Sequence, residues 1–269
     1  MFVLGAATYT FPVSSEADVY DIDGEREIAF LGNGATVLEG SVGANAAIFF
    51  AEDDPSQLYL SDLEWDGVPA AQPNNIPTLM VGPAAELWLD DSTARGTLLV
   101  GGGSAHVRRS NLFDGLGVPF GEPDASVQGS GELYLENSSV DPGLPQFTFN
   151  GLVDIRYSTV VLDGDLACGD TFDGVVRNSI VLTGGDIQEA CEGASWSNNA
   201  VNTTGFGTSV PPYMQSWFAA TEAVRFRLSP QGAEVFGEMA EWAEGDPPLD
   251  AEGDARPTDG PSAAGVDEP

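Results

Sequence analysis

A short alternating pattern of apolar and polar residues recurs along the chain and predicts a stack of β-strands. The pattern is apolar, any, apolar, any, a polar pair, any, apolar, and successive copies start 29, 18, 28, 20, 21 and 20 residues apart. Because alternate side chains of a strand point to opposite faces, each copy predicts one strand with one buried side. The seven copies are LYLSDLEW from Leu58, LWLDDSTA from Leu87, AHVRRSNL from Ala105, LYLENSSV from Leu133, VDIRYSTV from Val153, GVVRNSIV from Gly174 and ASWSNNAV from Ala194.

A repeat of about 20 residues that holds one short strand is typical of a single coil of a solenoid. We therefore predict an all-β, right-handed parallel β-helix over residues 1–228, with an earlier coil at IAFLGNGATV from Ile28. The opening MFVLGAATYTF already has the pattern of a strand, which suggests that the N-terminal coils are incomplete. Residues 229–269 are predicted to form a C-terminal cap and an acidic, Pro- and Gly-rich tail that is lightly packed after Pro247, with a short helix over Glu234 to Trp242. Eight apolar side chains are expected inside the coils, namely Leu58, Leu60, Leu87, Leu89, Leu133, Leu135, Val153 and Ile155.

The charge of the chain restricts its partners. It has 42 Asp and Glu against 9 basic residues, all of them Arg, for a formal net charge of −33. This field repels phosphate backbones and anionic lipids, so we expect no nucleic-acid partner and no electrostatic docking to membranes. Neutral, cationic or metal-bridged partners remain, and the excess carboxylate suits a salty or calcium-rich medium.

Export is inferred rather than read directly. The sequence has no apolar run long enough for a membrane span and no visible export signal. Cys168 and Cys191 lie at comparable places between consecutive copies of the pattern, without the spacing of a zinc site, and are predicted to form a disulfide. We expect an extracellular or cell-surface protein of unknown oligomeric state.

Several short motifs resemble one known family. ENSSV, RNSIV and SNNAV look like the corners of its coils, TYTFPV with IAFLGNGATV looks like its opening, and FRLSP, DAEGDARP and GVDEP look like its closing signature. On these motifs the chain resembles the bacterial secreted parallel β-helix proteins of the pectin-lyase-like superfamily. It departs from them at Glu252, at Gln-Gly-Ala after Pro230, and at Val266. The resemblance implies fold and export; some family members act on acidic polysaccharides and many have no known activity. The closing signature is matched by Asp250, Gly253, Arg256, Pro257, Asp267 and Glu268.

Stacking the coils in register aligns two outward columns. With coils ~4.8 Å apart, four rings would form a flat strip on which sugar C–H faces could stack. The ring column is Tyr59, Trp88, His106 and Tyr134, followed by Asp154, and the charged column is Ser61, Asp90, Arg108, Glu136, Arg156 and Arg177. We predict carbohydrate or surface binding by Tyr59, Trp88, His106, Tyr134, Arg108 and Arg156. The alternative is that the rings only stabilise the sheet and that Glu136 with Arg156 is an ordinary surface pair.

An enzyme on the same fold is a further alternative. A lyase needs a base and a cation, and His106, Arg108 and Arg109 with Asp90 and Asp91 could supply them. A hydrolase needs two carboxylates, for which Asp90 and Glu136 are candidates. Neither set is specific, so we favour a noncatalytic protein over a lyase or hydrolase. A structural spacer within an exported chain is the third hypothesis.

Calcium is the one cofactor that the sequence leaves open. Alternating carboxylates of the kind that bind Ca²⁺ occur in three turns, although none forms a complete EF-hand loop. Turn residues beside glycine in an acidic protein explain them equally well. The three sets are Asp21, Asp23 and Glu25; Asp163 and Asp165; and Asp250, Glu252 and Asp254.

Overall fold

A computed structural model describes residues 1–11, 26–40, 55–66, 79–95, 98–113, 127–140, 147–219 and 226–267. Within these ranges the chain is an all-β parallel β-helix, as the repeat predicts. A 17-stranded parallel sheet bends around a corner into two faces, and a 5-stranded parallel sheet forms the third. Equivalent strands of successive coils pair in parallel throughout, so the coil-to-coil register defines which side chains share a column.

The strands of the described coils fall into three sets. First-face strands are Phe2–Val3, Ala85–Asp90, Ser104–Arg108, Glu132–Glu136, Leu152–Arg156, Asp173–Arg177 and Ala194–Ser197. Second-face strands are Thr8–Phe11, Thr93–Arg95, Asn111–Phe113, Ser139–Val140, Thr159–Leu162, Ile180–Thr183, Ala200–Val201 and Thr208–Ser209. The long strands Glu27–Gly40 and Ser56–Asp66 contribute to both of these faces. Third-face strands are Leu79–Val81, Leu98–Val100, Val127–Gly129, Phe147–Phe149 and Leu166–Cys168.

The polar pair of the repeat forms the corner between the first and second faces. In all seven copies the fifth residue has a left-handed backbone conformation, with φ between 45° and 56°. Asn and Asp tolerate this region best, which accounts for five of the seven corners, whereas Arg and Tyr at the other two are unusual. The seven corner residues are Asp62, Asp91, Arg109, Asn137, Tyr157, Asn178 and Asn198.

The sixth residue of the pattern builds a polar ladder inside the corner. Each Ser Oγ accepts a hydrogen bond of 3.0–3.2 Å from the backbone N–H of the equivalent residue in the preceding coil. The first donor of this series is the N–H of Leu63. Asn199 ends the ladder by accepting from Ser179 N–H at 3.0 Å. Since a buried amide without a partner is costly, this ladder satisfies groups that the sharp corner removes from ordinary strand pairing. The serines are Ser92, Ser110, Ser138, Ser158 and Ser179.

The apolar interior confirms the predicted alternation. All eight predicted inward residues are buried, with exposures of 0–3%. Cys168 and Cys191 are bonded to each other, with Cα atoms 5.1 Å apart, so the predicted disulfide links neighbouring coils.

In the segment after the last coil, most of residues 248–261 are exposed, apart from buried Asp250 and Arg256, whereas residues 262–267 are buried. This segment, over its described residues 215–219 and 226–267, has little regular structure. It contains two short antiparallel pairs, Phe218–Ala219 with Arg227–Leu228 and Ala240–Glu241 with Pro261–Ser262. A short 3₁₀ helix occupies Gln215–Trp217. A second one, Glu189–Gly193, lies earlier in the chain, just before strand Ala194–Ser197. Residues of this segment cover the outer side of the last second-face strands and form a second apolar cluster with them. Its members include Val161, Ile180, Leu182, Trp217, Leu228, Phe236, Ala263 and Val266.

The only α-helix among the described residues is Pro230–Phe236, so the predicted span from Glu234 to Trp242 is wrong. Ser229 caps it by accepting the Gly232 N–H at 3.1 Å, and Pro230 occupies the first turn, where its missing N–H costs nothing. Gly237 is the C-cap. The pair Ser229-Pro230 is the sequence signal that marks this start.

Polar contacts hold the tail against the corner residues. Asn178 Nδ2 donates to the Glu241 carbonyl at 3.1 Å, and Asn137 Nδ2 donates to the Leu249 carbonyl at 2.7 Å. The Arg256 guanidinium carbon lies 4.0 Å from the ring centre of buried Tyr157. The tail therefore contacts three successive corner residues, and Arg256 of the closing signature makes one of these contacts.

Candidate functional site

The outward ring column has the predicted register. Tyr59 pairs with Trp88, Trp88 with His106, His106 with Tyr134, and Tyr134 with Asp154. The charged column also aligns as predicted, from Ser61 through Asp90, Arg108, Glu136 and Arg156 to Arg177. All six predicted binding residues therefore lie on the first face, in two neighbouring columns.

The rings differ from the expected strip because they stack on one another. Trp88 and His106 have ring centres 4.0 Å apart and planes inclined by 6°, and His106 and Tyr134 are 4.4 Å apart and inclined by 3°. Both faces of His106 are therefore covered, and Trp88 and Tyr134 each have one covered face. A sugar can stack only on a free ring face. Because these rings cover one another, most of the column presents only ring edges to a ligand. The stacking instead stabilises the sheet, typically by about 0.5–1.5 kcal/mol per pair.

His106 is held as a neutral side chain. Its Nε2 lies 3.3 Å from a carboxylate oxygen of Glu86, the residue two positions before Trp88. Burial lowers the pKa of His106, and this effect outweighs the opposing influence of Glu86. At the end of the stack the Tyr134 hydroxyl donates to Glu132 at 2.8 Å, and burial raises the pKa of Tyr134 to about 12.

Asp90 is the centre of a charged cluster beside the stack. It is 5% exposed, and its Oδ2 accepts from the Tyr59 hydroxyl at 2.9 Å and from Arg108 at 2.8 Å. Its Oδ1 accepts from Arg109 at 2.7 Å, and Arg109 also holds Asp91 through two bonds of 2.7 Å. Both oxygens of Asp90 are thus engaged, so the cluster positions Tyr59 and Arg108 rather than leaving a free base.

Arg108 connects this cluster to the rings. Its guanidinium carbon lies 5.0 Å from the Trp88 ring centre, within cation–π range. Arg108 also separates Asp90 from Glu136 in the charged column. The proposed carboxylate pair therefore has a cation between its members.

The C-terminal half of the charged column is occupied by the chain itself. Arg156 forms two bonds to Asp154, of 2.7 and 2.6 Å, and donates to the Gly245 carbonyl at 3.1 Å. Arg177 pairs with buried Asp246. The tail thus caps Arg156, and among the described residues it makes no contact with the N-terminal part of the first face.

Two adjoining depressions lie in this N-terminal part of the first face. One, of about 530 Å³, is lined by Met1, Glu27, Ile28, Ala29, Gln57, Tyr59, Trp88 and Arg108. The other, of about 680 Å³, is lined by Arg26, Glu27, Pro55, Ser56, Gln57, Ala84 and Glu86. Since they share Glu27 and Gln57, we treat them as one feature, the first-face groove.

Three groove residues were missed in the sequence. Glu27, Gln57 and Glu86 form a further aligned column, two positions before Ala29, Tyr59 and Trp88. Gln57 Nε2 donates to Glu86 at 2.5 Å across neighbouring coils. The alternation already contained this column, and extending each copy of the pattern by one outward position would have found it.

The carboxylate turns do not assemble a metal centre in the part of the chain described here. No group of three or more His, Cys, Asp or Glu is placed there to hold a metal ion. Asp250 Oδ1 instead accepts the backbone N–H groups of Glu252 and Asp254, at 2.9 and 2.8 Å, and Glu252 pairs with Arg227 at 3.3 Å. Asp165 Oδ1 accepts the Asp186 N–H at 2.9 Å. The turn at Asp21, Asp23 and Glu25, like Glu268 of the closing signature, lies outside the described residues.

The fold and the face define a parallel β-solenoid with an outward groove. No family model, curated protein or solved structure matches the chain. Among the described residues, no helix has the length and apolar character needed to cross a membrane.

Proposed function

We propose that this chain is a noncatalytic extracellular or cell-surface β-helix protein whose first-face groove binds an extended carbohydrate. The observation that carries the proposal is the groove itself, which runs along the face from Arg26 and Gln57 to Trp88 and Arg108. Its lining combines aromatic, apolar and hydrogen-bonding groups, the mixture typical of ligand sites.

The groove is supported by a rigid base. Asp90 fixes the Tyr59 hydroxyl and the Arg108 guanidinium, and Trp88 is fixed on one face by His106. Side chains that are held before binding lose little freedom when a ligand arrives, which favours affinity.

The chemistry of the face favours binding over turnover. Asp90 has both carboxylate oxygens engaged, and Glu136 is separated from it by Arg108. His106, the only histidine of the chain, is stacked on both sides and turned toward Glu86. A lyase or hydrolase on the same fold remains the alternative, and a structural spacer is the third.

Membership of the pectin-lyase-like superfamily and export are parts of the same proposal. The left-handed corners and their serine ladder support the first. The Cys168–Cys191 disulfide supports the second, since disulfides persist mainly outside the cytosol. The net charge of −33 is consistent with a salty medium.

A glycan array, probed with the full chain, tests the proposal. We expect the parent to bind a defined set of glycans and both Trp88→Ala and Gln57→Ala to lose at least tenfold in affinity. Tyr134→Ala is the matched control, because it also removes one end of the ring stack but lies outside the groove lining. It should remain within about twofold of the parent.

Two results would overturn the proposal. One is the absence of glycan binding by a parent protein whose circular dichroism shows an intact fold, which would favour the spacer. The other is an equal loss in Tyr134→Ala and Trp88→Ala, which would show that stability of the stack, not the groove, determines the signal. Glycan cleavage during the assay would favour the enzyme alternative.

A further inference from the structure

His106 lies beside the first-face groove and contacts two of the residues that line it. Its ring stacks on Trp88, with ring centres 4.0 Å apart, and its Nε2 lies 3.3 Å from Oε1 of Glu86. Trp88 and Glu86 each line one of the two depressions, whereas His106 itself is not among the described lining residues. His106 can therefore influence a ligand in the groove only through these neighbours.

Glu86 connects His106 to a third lining residue, Gln57. One carboxylate oxygen of Glu86 faces His106, and the other accepts a hydrogen bond of 2.5 Å from Nε2 of Gln57 in the preceding coil. Gln57 lines both depressions. Because a carboxylate only accepts hydrogen bonds, this bond turns the amide nitrogen of Gln57 toward Glu86. It leaves Oε1 of Gln57 as the acceptor that the side chain can present to a ligand.

Three charged groups face the His106 ring, one from each strand around it. Glu86 belongs to the strand of the preceding coil, Glu132 to that of the following coil, and Arg108 to the strand of His106 itself. Burial is the largest influence and lowers the pKa of His106 from 6.5; Arg108 also lowers it, whereas the two carboxylates raise it. His106 is thus neutral at pH 7 and takes up a proton only in acidic solution.

The ring stack holds His106 in place whichever charge it carries. Trp88 covers one face of the imidazole and Tyr134 the other, with planes inclined by 6° and 3°. A positive charge is also favourable between two aromatic faces. An imidazolium in this position attracts the carboxylate of Glu86 more strongly than the neutral ring does. Glu86 is therefore the side chain that responds when His106 gains a proton.

We propose that protonation of His106 rearranges the first-face groove. With His106 neutral, Glu86 holds the amide nitrogen of Gln57, and Gln57 has a fixed orientation. With His106 protonated, Glu86 pairs with the imidazolium and releases Gln57. His106 is thus a positioning residue whose protonation lowers the affinity of the groove for its ligand. The effect on affinity rests on the glycan binding proposed above, whereas the rearrangement itself does not.

NMR titration of the free full chain between about pH 4 and about pH 8 tests the rearrangement. His106 is the only histidine of the chain, so its ring signals are unambiguous. The side-chain amide signals of Gln57 are assigned by their loss in Gln57→Ala. We expect these amide signals to shift with the same midpoint as the His106 ring.

His106→Phe is the matched variant, because it keeps a flat ring between Trp88 and Tyr134 but cannot take up a proton. The shift of the Gln57 amide at the His106 midpoint should disappear in it. Any shift caused by titration of the carboxylates remains in both proteins, so the difference between them isolates His106. Gln57 signals that do not change across the His106 midpoint, or that change equally in His106→Phe, would overturn the proposal.

Binding of the glycan that gives the strongest array signal extends the test to affinity. We expect acidification through the His106 midpoint to weaken binding by the parent at least about fivefold more than binding by His106→Phe. By linkage, the bound glycan should also lower the midpoint of His106. An equal pH dependence in both proteins would refute the effect on affinity. If no glycan binds at either pH, the proposed function fails, and the NMR comparison still decides whether His106 controls Gln57.

Discussion

The serine ladder predicts which buried contacts stabilise the corner of each coil. Ser138 Oγ accepts the Ser110 N–H at 3.2 Å, and its single hydroxyl proton is shared between the Glu136 carbonyl at 2.8 Å and the Val107 carbonyl at 3.0 Å. Substitution of Ser138 by Ala removes all three contacts in a site that is 1% exposed. The Glu136 carbonyl keeps a hydrogen bond from the Arg109 N–H at 3.0 Å. The main loss is therefore the hydrogen-bond acceptor of the buried Ser110 N–H.

The magnitude follows from the cost of a buried amide without a partner, which is about 1–3 kcal/mol. We expect Ser138→Ala to lower the free energy of unfolding by about 2 kcal/mol. Ser197→Ala removes the same hydroxyl from an exposed position of an equivalent first-face strand. This control should cost less than about 0.5 kcal/mol.

Urea unfolding, followed by far-ultraviolet circular dichroism and tryptophan fluorescence, measures both variants. Coincident transitions and an unchanged m-value are needed to equate a shift in midpoint with a change in stability. If Ser138→Ala and Ser197→Ala unfolded at the same urea concentration, the ladder would contribute nothing measurable and our account of the corner would be wrong.

Three further predictions concern other parts of the chain. Replacing Cys168 and Cys191 by Ser should lower the free energy of unfolding by about 3 kcal/mol, from the entropy of a closed loop of that length, as measured by urea unfolding. Burial raises the pKa of Asp267 to about 6 from 3.8, so its stabilising contribution is complete below pH ~4 and is lost as the pH rises through 6. Asp267→Asn should remove this step, worth up to about 3 kcal/mol, from the stability profile measured against pH. His106 should titrate by NMR below its ordinary pKa of 6.5, and a higher midpoint would contradict its burial in the stack.

Much of the fold could be predicted from the sequence because the repeat is carried by residues with strong physical requirements. Alternating apolar residues defined the buried columns, and the spacing of the copies defined the coil-to-coil register. The polar pair marked the corner, although Arg109 and Tyr157 show that the left-handed residue need not be Asn or Asp. The disulfide followed from the positions of Cys168 and Cys191 in consecutive coils.

The candidate site was harder to predict because register does not fix side-chain orientation. The ring column was placed correctly, yet Trp88, His106 and Tyr134 lie face to face rather than presenting their faces to solvent. The tail contacts of Arg156 also depend on residues almost 90 positions away, at Gly245, which no local pattern contains.

The contacts that stabilise the coils are distributed unevenly over the first face. The inner columns, the serine ladder and the disulfide stabilise the coils, and on the first face the stacked rings of Trp88, His106 and Tyr134 add to this. Near the C-terminus the tail nevertheless occupies that face, through Arg156 and Arg177, and the three corners beside it. Among the described residues, the outward residues around Trp88 have no tail contact, so a substitution such as Gln57→Ala can alter recognition without disturbing the tail or the ring stack. This separation makes the groove and the coil stability independently testable.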